Sequence, residues 1–245
     1  LLRETNKAQT SLAKGFQMAI PEGDTAAVAR LENNLGNLLA TQRAFADALG
    51  HYLKSAEAAR RLRDVLLTAQ SLAKASLASL ACGDFKTAES LNAEALQAIE
   101  KLDPSHDRTS LSATIGRSYR MIGGKNPDRK AYLWSEARRA YQLALTSGEK
   151  IDDPAALSEA LGCLGQLDDL EDRPTEALVM TRNAVVYAQR AEAPDAIYRW
   201  EWQWGRLLKR SGAREQAIGA FRRAIATYQE LRQDLARGHG NQTLE

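Results

Sequence analysis

One pattern recurs along this chain and limits what it can fold into. It is an alanine, a variable residue four positions on, and a small or hydroxyl residue three further. It reads Ala48–Tyr52–Ser55, Ala88–Asn92–Ala95, Ala137–Tyr141–Ala144, Ala177–Thr181–Ala184 and Ala217–Phe221–Ala224. The leading alanines stand 40 residues apart from 48 to 88, 137 to 177 and 177 to 217, and the remaining step of 49 is one period plus nine. Ala8–Leu12–Gly15 sits one period ahead of Ala48 and reads as half of an earlier unit. Spacings of four and three put these residues on one face of a helix. Self-similarity at such a period is the mark of stacked supersecondary units that bury a shared core.

A second pattern lies twelve residues upstream of those alanines. Gly36, Ser76, Gly165 and Gly205 occupy it, preceded by Leu35, Ala75, Leu164 and Trp204. Gly116 plays the part in the third unit, with nine extra residues between it and Ala137. Small residues at both places let two antiparallel helices approach closely. Turn residues separate the patterns: Cys82-Gly83-Asp84, Glu171-Asp172-Arg173-Pro174 and Ser211-Gly212-Ala213. Breakers such as Asp152-Asp153-Pro154 and Ala193-Pro194-Asp195 separate the units, with Asp or Ser placed to cap each restart. The reading is helix–turn–helix five times over, with no strands.

Composition agrees. With 44% hydrophobic and 26% charged residues the chain buries a core, and six prolines and 16 glycines are too few for a loop-rich β fold. No apolar run reaches the roughly 18 residues of a membrane span, so no membrane partner is expected. A net charge of +2 says little by itself, though a chain binding nucleic acid over its whole surface would usually be more basic. Two cysteines make no disulfide framework, and a cytoplasmic setting follows. The start at Leu1-Leu2-Arg3-Glu4 reads as a boundary within a longer protein.

Leu161-x-x-Leu164-Gly165 with Ala177-x-x-x-Thr181, Trp204-Gly205 with Ala217-x-x-x-Phe221, and Leu35-Gly36 with Ala48-x-x-x-Tyr52 resemble the signature of tetratricopeptide (TPR) repeats. The likeness covers about residues 26–229, with a period of 40 in place of the family's usual 34 or so. It implies an all-α, right-handed superhelical solenoid of antiparallel helix pairs. An N-terminal half repeat would occupy 1–24, five pairs 25–236 with an insertion near 123–130, and a tail 237–245. The insertion, with Lys125, Arg129 and Lys130, would be a basic spacer loop projecting from an edge.

The last unit carries a narrower likeness. Tyr198-Arg199-Trp200-Glu201-Trp202-Gln203-Trp204-Gly205 and its continuation through Leu235 resemble the final repeat of TPR–CHAT proteins, over about residues 195–240. In that family the repeat precedes a caspase-like cysteine peptidase domain. The resemblance implies a protease regulated by its repeats, with that peptidase domain as an intramolecular partner after residue 245. Its catalytic residues have no counterpart here.

Nothing in the chain reads as a reaction centre. Cys82 and Cys163 share no short motif with His51, His106 or His239, and both read as buried structural thiols. No Cys-x-x-Cys, His-Glu-x-x-His or calcium loop is present, so neither metal nor cofactor is expected. Gly123-Gly124-Lys125-Asn126 lacks the first glycine and the hydroxyl residue of a phosphate loop. Asp168-Asp169-Leu170-Glu171-Asp172 reads as a solvated helix end, and Asn241-Gln242-Thr243 as a chance match to a glycosylation acceptor.

The TPR likeness implies that the first helix of each pair lines a concave groove. The positions it assigns there include Arg30, Asn33, Asn37, Gln70, Arg117, Arg120, Gln166, Arg199, Trp202, Arg206 and Lys209. With Arg210, Glu159 and Asp169 the full set holds seven basic against two acidic side chains. Such a surface favours acidic partners, and Asn33 and Asn37 could bond an extended peptide backbone. The expected function is a non-enzymatic scaffold binding a protein or an acidic peptide. Two rivals are a nucleic-acid-responsive regulatory module and a sensor of short peptides of the bacterial signalling type.

Overall fold

The computed structural model describes residues 2–240, with side chains placed for residues 6–233. Among the described residues every element is helical: α1 (Leu2–Ala19), α2 (Thr25–Thr41), α3 (Phe45–Arg61), α4 (Val65–Ala81), α5 (Phe85–Ile99), α6 (His106–Lys125), α7 (Lys130–Lys150), α8 (Pro154–Leu170), α9 (Pro174–Arg190), α10 (Pro194–Arg210) and α11 (Arg214–Gly240). A 3₁₀ turn at Pro127–Arg129 joins α6 to α7. The architecture is the all-α, TPR-like solenoid of antiparallel helix pairs, α2/α3 to α10/α11, preceded by the single helix α1. Residues 241–245, with the Asn241-Gln242-Thr243 triplet and the end of the expected tail, lie outside the described residues, as does the side chain of His239.

The 40-residue period has a simple physical source. α2, α3, α4, α8, α9 and α10 are each 17 residues long. Three residues separate most neighbours, so two helices and two turns complete one period. The turns repeat one backbone solution. Gly23, Arg43, Arg63 and Gly83, then Asp152, Asp172, Glu192 and Gly212, all adopt positive φ, between 47° and 85°. The next N–H reaches back to a carbonyl near the helix end, as Ala44 to Leu39 at 2.9 Å and Arg173 to Asp168 at 2.8 Å. This is the left-handed helix stop that satisfies orphan carbonyls. Five of the eight residues carry a Cβ and accept a cost of about 1 kcal/mol each for that conformation. Asp24, Asp64, Asp84 and Asp153 then start the following helix, each carboxylate accepting from the N–H three residues on, a cap worth about 1 kcal/mol.

Within each pair the small residues do what their spacing requires. A Cβ on Gly36 would stand 2.6 Å from the Tyr52 ring, and one on Gly205 2.7 Å from the Phe221 ring. On Gly165 it would overlap Thr181 Oγ1 and lie 3.1 Å from the Thr181 backbone nitrogen. Ser76 replaces glycine in the second pair, where its hydroxyl donates to the Ala88 carbonyl at 2.8 Å. Ala48, Ala88, Ala137 and Ala177 are fully buried at the same crossings.

The expected loop near 123–130 is corrected by the structure. α6 and α7 lengthen to 20 and 21 residues and, with the 3₁₀ turn between them, take up the extra positions. Gly123 lies against Trp134, whose indole N–H donates to the Arg120 carbonyl at 3.2 Å. Leu133 and Trp134 are buried, and Lys130 Nζ sits 4.1 Å from the Trp134 ring centre. Burying these side chains favours continued helix over a solvated loop.

The chain forms two compact units. The first is Leu1–Asp103 with Ser110–Ala140, and in it each of α1 to α4 packs on the next helix. The second is Pro104–Thr109 with Tyr141–Glu245, and in it α8 to α11 pack in sequence. Trp200 of α10 is buried there against Gly162 of α8. No helix among the described residues is long and apolar enough to cross a membrane.

Two substitutions separate close approach from helix propensity. Gly165→Ala should destabilise by about 1–3 kcal/mol, because α9 backbone blocks the new methyl. Gly50→Ala, in mid-α3 with nothing within 4 Å of its Cβ position, should stabilise by about 0.5–1 kcal/mol. Chemical denaturation of both variants measures the contrast.

Candidate binding cleft

The first helices of two successive pairs in the first unit, α2 and α4, enclose a cleft of about 390 Å³. Arg30, Asn33 and Asn34 line it from α2, and Leu66, Leu67, Gln70 and Lys74 from α4. Asp64 stands at its rim as the cap of α4, accepting the Leu67 N–H at 2.9 Å. Arg30, Asn33 and Gln70 were expected at a groove, and the structure brings them together here. Lys74 was not. It follows Gln70 by four residues, so helical spacing alone puts it on that face, but the positions implied by the TPR likeness pass over it.

A buried chain of hydrogen bonds holds Lys74 in place. Its ammonium donates to Asn33 Oδ1 at 2.6 Å. The Asn33 amide donates to Ser71 Oγ at 2.8 Å, Ser71 and Ser55 Oγ are 2.9 Å apart, and Ser55 donates to the Ala29 carbonyl at 2.7 Å. Ser55 has used its proton on Ala29, so Ser71 donates to Ser55, and every bond in the chain runs one way. Asn33, Ser55 and Ser71 are all buried, and leaving any of them unpaired would cost about 1–3 kcal/mol. The Asn33 amide is therefore occupied inside the protein and is not free to read a peptide backbone. Asn37 is engaged too, its Oδ1 accepting from the Tyr52 hydroxyl at 3.1 Å.

Burial lowers the pKa of Lys74 below that of an ordinary lysine. Its ammonium also lies 6.0 Å from the Tyr52 ring centre, at the outer limit of a cation–π contact. Among the described residues neither Arg30 nor Lys74 has a carboxylate at ion-pair distance. The cleft thus holds two cations and one carboxylate, Asp64.

The other expected residues are distributed between the units. Arg117 and Arg120 lie half-buried on α6 in the first. In the second, Gln166 is half-buried on α8, while Arg199, Trp202, Arg206 and Lys209 are exposed on α10. Arg199 pairs with Glu159 at 2.6 Å and lies over the Trp200 ring. Arg210 pairs with Asp169 at 2.6 Å. Trp202 meets Phe221 edge-on, centroids 5.0 Å apart. Arg206 and Lys209 have no ion-pair partner among the described residues.

Two smaller expectations need correction. Cys163 is buried, but Cys82 is exposed, because it caps α4 where the chain turns outward. Asp168 is not solvated: it is buried and bonded to Arg173 at 2.5 Å across the α8–α9 turn. His51 and His106 pair with carboxylates, Glu32 and Asp153, at 2.5 and 2.6 Å. No cluster of three His, Cys, Asp or Glu side chains able to hold a metal occurs among the described residues.

Tyr52 ties the cleft to the helix crossing beneath it, and burial pushes its phenol up to about 12. Below pH 10 both folded and unfolded chains keep that proton. Between pH 10 and 12 the unfolded chain loses it first, so stability falls across that window. Tyr119, also raised by burial, contributes a further slope. Tyr52→Phe should remove part of the alkaline loss, read as the change in denaturant midpoint from pH 10 to 12 against the wild type.

No protein-family model matches the chain, and no curated protein matches it in sequence. Solved structures do match in fold. BtubC (BKLC) from P. vanneervenii aligns with a TM-score of 0.76 at 18% identity, over 94% of this chain and 91% of that one. A Podosopora anserina protein described as a kinesin light chain with nearly identical TPR-like repeats aligns at 0.64 and 14%, over 83% and 96%. The apo form of RapI aligns at 0.61 and 16%, over 94% and 77%. At these identities the likeness establishes the TPR-like fold.

Proposed function

We propose that this chain is a non-catalytic scaffold that binds a protein or peptide segment of acidic character along the first helices of its pairs. The carrying observation is the α2–α4 cleft, where half-buried Lys74 and exposed Arg30 share one recess with a single carboxylate, Asp64, that pairs with neither. A cation removed from water without a counter-ion is a standing attraction for a ligand anion. Arg206 and Lys209 on α10, with Trp202 beside them, extend the same chemistry in the second unit. The TPR-like fold is consistent with this use, since such stacks offer extended surfaces to segments of other chains.

The resemblance of residues 195–240 to the final repeat of TPR–CHAT proteins supports a finer reading. In it the repeats regulate a caspase-like peptidase domain in the same polypeptide, in a bacterial cytoplasm, and present it with bound targets. Selection from a displayed random-peptide library tests the binding class directly. Enrichment of Asp and Glu is expected, with a loss of about ten-fold or more in affinity on charge reversal at Arg30, Arg117, Arg120 and Arg206. A selected set without acidic bias, unaffected by those changes, overturns the reading. Tight, steeply salt-dependent binding of RNA in its place would favour the nucleic-acid-responsive rival.

A further inference from the structure

The outer face of α11 carries the pattern of a helix that another helix covers. Terminal units of stacked arrays normally turn a polar face to water, and α11 does not. One 40-residue period forward from α9, Leu178, Thr181, Val185 and Ala188 become Ile218, Phe221, Ile225 and Tyr228. α10 packs on the first set: Gln203 donates to Thr181 Oγ1 at 2.8 Å, and Val185 and Ala188 are 4% and 0% exposed. On α11, the last described helix, Ile225 and Tyr228 are 47% and 46% exposed. A contiguous apolar stripe of this kind marks an interaction surface. We infer that the stripe docks one amphipathic helix of a partner protein, whose apolar seam ends at both sides in a carboxylate. The surface lies wholly in the second unit and uses none of the residues of the α2–α4 cleft.

Spacing points to a helix as the occupant. Ile218, Phe221, Ile225 and Tyr228 follow one another at steps of three, four and three, the spacing of a coiled-coil seam. The stripe also continues the helix-on-helix interface that α10 makes with α9. A further pair could not seat there as α10 does, however. α10 sits on the preceding pair by placing Trp200 against Gly162. One period later Trp202 stands where Gly162 was, and Tyr198 where Ser158 was. Trp202 meets Phe221 with ring centres 5.0 Å apart, and Tyr198 meets Tyr228 at 5.2 Å. Rings from α10 and α11 thus fill the notch, and the occupant rests on a raised apolar surface instead of entering a groove.

Charge decides between a partner and a second copy of this chain. Arg214 and Arg232 stand four residues beyond the two ends of the stripe, on the same face, and Arg222 flanks it. All three are exposed, and none has an ion-pair partner among the described residues. Glu215 is the nearest carboxylate in the helix, and the spacing of Glu230 puts it on the far side. Two copies joined through the stripe would set arginine on arginine in either direction. Parallel helices would match each Arg214 and each Arg232 with its own counterpart, and antiparallel helices would match Arg214 with Arg232. A helix with Asp or Glu at both ends of its seam turns the same two positions into ion pairs.

Calorimetric titration of the full chain with capped, alanine-based helical peptides tests this. The first peptide carries leucine at the three–four–three spacing and glutamate four residues beyond each end. The second has lysine in place of glutamate, and the third has glutamine in place of leucine. The first is expected to bind, with a loss of about ten-fold or more for either change. Ile225→Gln, at an exposed position, should weaken the first peptide by about ten-fold, and Val186→Gln, exposed on α9 away from the stripe, should not change it. The double change Arg214→Glu with Arg232→Glu should reverse the preference from the glutamate peptide to the lysine peptide, which a general loss of fold would not do. Arg30→Met, in the α2–α4 cleft, should leave binding as it is.

Failure of the glutamate peptide to bind overturns the inference, as does equal binding of the lysine peptide or indifference to Ile225→Gln. A wild-type dimer in sedimentation that Ile225→Gln dissolves would overturn it in favour of a second copy. Weakening by Arg30→Met would move the peptide to the cleft, overturning this inference and leaving the proposed function in place.

Discussion

The structure depends on how closely two antiparallel helices can approach. At the crossing of each regular pair, a residue with little or no side chain on the first helix faces a ring, a hydroxyl or a carbonyl on the second. Tyr52 over Gly36, Phe221 over Gly205 and Thr181 against Gly165 are three versions of one contact. Each leaves no room for a methyl group without movement of its neighbour. The buried alanines at 48, 88, 137 and 177 close the same gap from the other side. Once that distance is fixed, helix length and turn shape follow, because one left-handed residue every 20 positions is what returns each 17-residue helix to its partner. Five positions without glycine accept the backbone cost to keep the turn.

Close packing of small residues also explains the polar interior. Serines at 55, 71 and 76 fit where larger side chains would not, but each brings a hydroxyl that must be satisfied. Ser76 solves this within its pair through the Ala88 carbonyl, and meets Ser118 Oγ at 3.0 Å. Ser55 and Ser71 solve it through each other and through Asn33, and that chain ends on Lys74 at the surface. The cleft is therefore an extension of the packing that makes the fold. Its fixed cation is the half-buried end of a hydrogen-bond chain whose other end is helix backbone.

Most of the fold was legible because its determinants are local. Alanine and glycine spacings give the pairs, Asp caps give the starts, and repetition lets five weak signals agree. The middle unit departs from its local signals. Gly123-Gly124 followed by Pro127 resembles a loop, but the burial of Leu133 and Trp134 outweighs that propensity. The site was less legible. Arg30, Asn33 and Gln70 were reached by position, yet the role of Asn33 depends on Ser71, 38 residues away. Lys74 depends on an asparagine 41 residues earlier. Such pairings follow from how neighbouring pairs stack, and no short motif encodes them. Cys82 and Asp168 depart from expectation for local reasons: the first caps α4 and is exposed, and Arg173 covers the second from five residues on.

Counting charges by face also overstates how uniform the expected basic surface is. On α10, Arg199 and Arg210 are held by Glu159 and Asp169 of α8. These pairs are partly exposed, and ion pairs of that kind contribute about 0–1 kcal/mol each. Their larger effect is to cancel a field that an arriving anion would otherwise feel. Arg206 and Lys209 keep theirs, but in water, where salt screens a charge within about 10 Å. Lys74 differs on both counts: it has no carboxylate partner, and it is partly withdrawn from solvent, as its lowered pKa reflects. Burial raises the cost of holding that charge alone, and a ligand carboxylate would relieve the cost in the same step that it forms its bond. What a surface of this composition can offer an anion therefore depends on which cations the fold leaves unpaired and half-buried, and the number of basic residues along the face is a poor guide to it.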